Sequence, residues 1–291
     1  MIKDSLRFLF SSTVSVLLAL KFVLLASLPM RFFRLNYGRA VYYSISFAFF
    51  FFLLGMNKIE WSITYLTLIL LVGVYSELEQ ARPKKLVINS AVSMSAALGT
   101  ALGCLGLWAY KSGLSLVPFL AMKYTVFVEP IFELPQFTDL NFDVQSLFWF
   151  FPSGLGILYM FALFICLSVF RDPQGKIAPL NLKNFELPEP CVWAFIFSLA
   201  GSFLLAPLGP VHIVAANSLL LLLGAFFFQG LAVIVTLMDN YRVHGVWRFV
   251  LLFLIFFQGL IFVSIVGLID FWADFRKFSR GQAKNFPRGQ E

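Results

Sequence analysis

Phe227-Phe228-Gln229-Gly230-Leu231 and Phe256-Phe257-Gln258-Gly259-Leu260 are the same five-residue phrase written twice. Each lies inside a long apolar run, and the polar link 239–248 joins the two runs. Gln229 comes ten residues before Asp239, and Gln258 comes ten residues after Arg248. Folded as an antiparallel helical hairpin, the two amides sit at one depth, about 15 Å from the shared turn at 1.5 Å rise per residue. That is the middle of a bilayer whose hydrocarbon is roughly 30 Å thick. The pattern predicts an all-α, polytopic transmembrane bundle with a polar pair in its core.

Composition points the same way. Of 291 residues, 60% are hydrophobic, only 13% are charged, and 37 are Phe. A soluble domain carries about 25% charged residues, so an aqueous fold has no place for this much apolar surface. The formal charge of +7 would suggest nucleic acid in a soluble chain. Here the basic residues gather in short links and in the tail, where membrane orientation and anionic lipid account for them. Cys104, Cys166 and Cys191 lie in or beside apolar runs without disulfide or zinc spacing. They read as small apolar fillers.

Apolar runs long enough to cross fall at 8–30, 40–56, 62–76, 86–110, 146–170, 191–208, 213–238 and 249–270, against a need for about 20 residues. The expectation is eight spans, with seven to nine admissible. The segment 113–128, with Pro118 and Lys123 inside, fits an interfacial helix, a re-entrant segment or a ninth span. The first run follows Lys3 and Arg7 but is too long for a signal-peptide core, so it reads as an uncleaved span. One membrane domain over 1–276 and a basic tail over 277–291 are expected. The acidic link 129–143 and the proline-rich link 171–190 are the long connections. The Pro207-Leu208-Gly209-Pro210 stretch marks 191–212 as a place for a broken helix.

Orientation is balanced. With eight spans, the links 29–39, 76–85, 171–190 and 239–248 share one side and carry eleven Lys or Arg, while the other side collects ten. The acidic 129–143 link argues for an outside face and the tail for an inside one, and both hold only if one apolar segment fails to cross or an extra one does; a cytoplasmic tail is the favoured expectation.

Gln229 and Gln258 lead the ligand-binding candidates, because a primary amide in hydrocarbon must find partners. A bond to each other or to a neighbouring backbone would cement the hairpin, contributing about 0.6–2 kcal/mol; lining a cavity is the competing reading. Asn217, Lys21 and Asp270 complete the set, since an ionisable residue inside a span is by default a functional candidate. Lys21 has Asp270 or Asp239 as partners, with nothing to choose between them. Ser95, Gly99 and Gly103 repeat every four residues as a small-residue packing seam. Gly230, Gly259 and Gly267 also permit close helix approach. Trp272, Phe275, Arg276 and Lys277 form an interfacial anchor. His212 and His244 are too far apart for a metal site. No catalytic order, phosphate loop or cofactor motif appears, so neither an enzyme nor a bound cofactor is expected.

The ending Gly267-Leu268-Ile269-Asp270-Phe271-Trp272-Ala273-Asp274-Phe275-Arg276, with Gln229-Gly230-Leu231-Ala232 and Asn217 upstream, resembles the YybS-like family of polytopic bacterial membrane proteins. Phe185-Glu186-Leu187-Pro188 before a span fits as well. The resemblance covers most of the chain up to Arg276 and is sharpest from about residue 185. It implies no reaction. It implies a multi-pass protein of the bacterial inner membrane, loosely similar to the substrate-binding subunits of energy-coupling-factor transporters and to a rod-shape scaffold. Two functions follow as expectations: a small-solute-binding transport subunit that relies on a partner ATPase, or a scaffold for envelope and division proteins. The bilayer is the one partner common to both.

Overall fold

The computed structural model describes residues 23–82, 85–132, 148–169, 185–204, 209–243, 245–273 and 275. Most of the first apolar run, with Lys21, lies outside the described residues, as do the links 133–147 and 170–184. So do Arg276, Lys277 and the tail.

Among the described residues the regular structure is all helical. The helices are α1 (Val23–Gly55), α2 (Ile59–Ala81), α3 (Leu86–Lys111), α4 (Leu116–Phe132), α5 (Phe151–Val169), α6 (Pro190–Leu204), α7 (Pro210–Asn240), α8 (Val246–Gln258) and α9 (Leu260–Ala273). Helices α2, α3 and α7, with Ala26–Gly55 of α1 and Phe151–Ser168 of α5, are long and apolar enough to cross a membrane; α6 and α9 are shorter apolar helices. This is a multi-pass membrane protein.

Three helix ends share one device. At Asn57, Gly113 and Arg242 the chain turns into the left-handed region, with φ of 58°, 72° and 53°. The following N–H reaches back to the helix at each: Lys58 to the Leu53 carbonyl, Leu114 to Ala109 and Val243 to Met238. Such a cap satisfies carbonyls that the helix itself leaves unpaired. Hydropathy locates the spans, and these caps close them.

Two differences from the sequence expectation stand out. The link 29–39 is helical, broken only at Gly38 (φ 81°, ψ 179°). That conformation is open to glycine and strained for any side chain. Second, the run 249–270 is two helices, separated at Gly259 (φ −102°, ψ 8°). The segment 113–128 contains α4, whose Phe119 ring meets Trp108 edge-on at 5.0 Å.

The chain divides into two compact units, Met1–Pro179 and Leu180–Glu291, where the sequence suggested one domain over 1–276. The division falls inside the proline-rich link, whose prolines resist continuing either neighbouring helix. In the first unit α1, α2, α3 and α5 pack together, and α4 leans on α3. Its core is Tyr42, Leu68, Ile69, Val72, Tyr75, Ala97, Ala162 and Cys166, all nearly inaccessible. Two polar contacts tie its helices: Ser27 Oγ donates to the Ala162 carbonyl at 3.0 Å, and the Tyr42 hydroxyl donates to Ile69 at 3.0 Å. In the second unit α7 is flanked by α6 and α9. Phe195 and Phe226 meet edge-on at 5.5 Å between α6 and α7.

The small-residue seam of α3 faces away from the described helices. Ser95, Gly99 and Gly103 are exposed, and a Cβ at Gly99 or Gly103 would meet nothing within 4 Å. The face that packs is Ser93, Met94, Ala97 and Ala101.

Candidate functional site

The second unit holds a buried polar junction at the crossing of α7 and α9. Glycine makes the crossing tight. A Cβ at Gly230 would collide with the Val263 carbonyl oxygen, and one at Gly267 with the Phe226 carbonyl oxygen. Beside these glycines, Ser264 Oγ donates to the Leu223 carbonyl at 2.8 Å, and Gln229 Nε2 donates to Asp270 Oδ2 at 3.5 Å.

Gln229 and Asp270 are 1% and 3% exposed. The amide is held from both ends. Its Oε1 accepts the Leu187 backbone N–H at 3.2 Å, while its NH2 points to the carboxylate. Residues 185–188 carry no helix, so the Leu187 N–H has no helical partner and the Gln229 amide supplies one. Leu187 itself is buried, and Phe185 meets Phe228 edge-on at 6.5 Å. The non-helical segment is thus strapped to α7.

Of the candidates read from the sequence, the structure brings Gln229 and Asp270 together. Gln258 ends α8, and its side chain lies outside the described residues. An antiparallel hairpin would have set it opposite Gln229; instead α9, beyond the Gly259 break, is the helix that packs on α7. The link 239–248 does close a turn, with Arg248 Nη1 on Asp239 Oδ1 at 2.6 Å. Asn217 donates to Ile213 of its own helix at 2.9 Å, about 18 Å along α7 from Gln229 at 1.5 Å per residue. A Cβ at Gly259 would lie nearest the Ile255 backbone of the preceding turn. Trp272 and Phe275 are exposed.

Sequence reasoning missed a second polar cluster, in the first unit. Arg31 and Arg34 on α1 are 3% and 4% exposed. The Arg31 Nη2 donates to both carboxylate oxygens of Glu79, at 3.1 Å and 2.9 Å. Arg34 Nη2 donates to Glu77 at 2.8 Å and more weakly to Gln80 at 3.4 Å. The Arg31 guanidinium also lies over the Tyr75 ring, 5.7 Å from its centroid. At the other end of α2, Lys123 pairs with Glu60 at 2.8 Å and sits 4.6 Å from the Trp108 centroid. The signal for the buried cluster was a closely spaced basic pair, Arg31 and Arg34, and a closely spaced acidic pair, Glu77 and Glu79, on consecutive helices. Counting those residues only as link charges concealed it.

Residues 155–271 match a protein-family model described as a predicted membrane protein (DUF2232). The match takes in Asn217, Gln229, Gly230, Gln258, Gly267 and Asp270. Neither the curated proteins nor the solved structures contain a match.

Proposed function

We propose that this multi-pass protein is a non-enzymatic membrane subunit that binds a small polar solute against the Gln229–Asp270 pair. What supports the reading is an ionisable side chain buried with a strapped amide inside an otherwise apolar crossing. Asp270 lies two residues before the exposed Trp272, and an ionisable side chain enclosed in an apolar helix carries an insertion cost that makes it a functional candidate by default. An interhelical hydrogen bond returns about 0.6–2 kcal/mol. A polar solute seated on the pair would add hydrogen bonds beyond that interhelical contact. The sequence holds no phosphate loop, so energised transport would draw on a partner ATPase.

The test is thermal melting of the purified full chain in lipid nanodiscs across vitamins, nucleosides and ions. At least one class should raise the melting temperature, by the equivalent of about 2.7 kcal/mol at a hundredfold excess over Kd. Gln229→Leu and Asp270→Asn should remove that response. No response from the wild-type chain, with cells indifferent to both substitutions, would sink the proposal. If deleting 277–291 instead strips away a co-purifying protein, the scaffold reading replaces it.

The first unit also carries a proposed orientation. Arg31, Arg34, Arg39, Arg82 and Lys85 lie at one end of its helices, and Lys58, Lys111 and Lys123 at the other. On that excess we assign the Arg31 end to the cytoplasmic side. In a chain whose three cysteines are replaced by serine, an impermeant maleimide should label Met56→Cys in intact cells. It should label Lys85→Cys only after permeabilisation; the reverse pattern inverts the assignment.

A further inference from the structure

The first unit's cluster is not used up by its own ion pairs. Arg31 gives only Nη2 to Glu79, and its Nε and Nη1 find no hydrogen-bond partner. Arg34 likewise spends Nη2, and its Nε is without a partner. Three donor nitrogens on two guanidiniums, one helical turn apart on α1, are therefore enclosed and unspent. A buried donor in this state needs an acceptor.

Charge at the site is unbalanced in the same direction. Glu77 and Glu79 face Arg31 and Arg34, and Glu77 is also 3.6 Å from Arg39. Arg82 and Lys85 follow within two turns of Glu79, both exposed. Asn89 holds this corner by donating to the Arg82 carbonyl at 3.0 Å. Five basic side chains thus stand against two carboxylates.

Depth selects the ligand class. Glu79 lies twenty residues after Ile59 on α2, about 30 Å at 1.5 Å per residue, which is the thickness of the hydrocarbon. Lys58 lies over the Trp61 ring at the opposite end, 5.7 Å from its centroid. The arginine cluster is therefore at the other headgroup plane, where the group nearest to hand is a phosphate. Arginine's planar fork matches phosphate oxygens better than an ammonium does.

The geometry points to a phosphate-binding site at the α1–α2 end of the first unit, built on Arg31 and Arg34 with Arg39, Arg82 and Lys85 as its exposed rim. The ligand is the phosphate of an anionic lipid headgroup or the free anion. This stands on the first unit alone and is independent of the Gln229–Asp270 reading.

The test compares melting of the full chain in phosphatidylcholine nanodiscs, in discs that include phosphatidylglycerol, and in phosphatidylcholine discs titrated with inorganic phosphate against sulfate at matched ionic strength. A rise of about 3 °C or more with phosphatidylglycerol alone assigns the headgroup. A rise with inorganic phosphate but not sulfate assigns the free anion. Arg34→Lys, which keeps the charge and loses Nε, should cancel the rise. If that variant does not fold, the exposed pair Arg39→Gln and Lys85→Gln should at least halve it. Equal melting in all conditions, an equal sulfate effect, or a rise untouched by these variants would overturn the site.

Discussion

Gly267→Val should prevent the second unit from forming. The new Cβ would strike the Phe226 carbonyl oxygen and lie 2.6 Å from the Gly230 backbone nitrogen. Both are main-chain atoms of α7 and cannot swing aside as a side-chain tip would. Ordinary overpacking costs about 1–3 kcal/mol. This clash requires α7 and α9 to part, which also separates Gln229 from Asp270 and Ser264 from Leu223. We expect a loss above roughly 3 kcal/mol, read as failure to recover monodisperse protein or as a collapsed melting temperature. Gly230→Ala should behave similarly, because its Cβ would meet the Val263 carbonyl. Gly99→Val and Gly103→Val are the controls; with open space around them, they should melt close to wild type. Recovery of Gly267→Val with wild-type stability would show that the crossing is not tight.

That contrast marks how far the sequence could be read. Gly99, Gly103, Gly230 and Gly267 all sit in apolar runs, and the four-residue repeat around Gly99 is the cleaner motif. Yet Gly230 and Gly267 carry the contact, and the seam of α3 is turned outward. A small-residue stripe states that a helix could approach there; it does not state which helix does. The spans themselves were legible, because lipid imposes length and apolarity on every crossing segment. The ends were legible only in part. Asn57 and Gly113 are residues that tolerate positive φ, whereas Arg242 in the same role has no local signature.

The candidate pair shows the same limit. Gln229 and Asp270 were both visible as polar residues in apolar runs, and the partner expected for Gln229 was Gln258 or a neighbouring backbone. Equal depth in a hairpin assumes that 249–270 is one straight helix. The Gly259 break separates α8 from α9, and the helix beyond it is the one that meets α7. The Leu187 N–H had no signature, since a backbone donor becomes available only where helix is absent. In the first unit the difficulty was of another kind. Charges beside a span are read as solvated link residues, and only packing reveals that Arg31, Arg34 and Glu79 are enclosed.

Enclosure makes Glu79 the second sensitive position, and its substitution separates two accounts of the cluster. Glu79→Gln leaves the Arg31 guanidinium buried, with Tyr75 beneath it and no opposing charge. Breaking a buried ion pair from one side costs about 3–5 kcal/mol, whereas replacing both partners with apolar groups of similar size is often neutral. We therefore expect Glu79→Gln alone to melt far below wild type, and Arg31→Met with Glu79→Leu to recover most of the loss. Glu77→Gln should cost less, because Glu77 keeps 28% side-chain exposure beside Arg34 and water screens what remains. Equilibrium unfolding of the four chains, in phosphatidylcholine discs with and without phosphatidylglycerol, separates the two accounts. If the double variant recovers stability yet loses its response to phosphatidylglycerol, the ions at this corner serve recognition more than folding. If the double variant falls as far as the single one, the pair is a stabilising element of the α1–α2 contact in its own right.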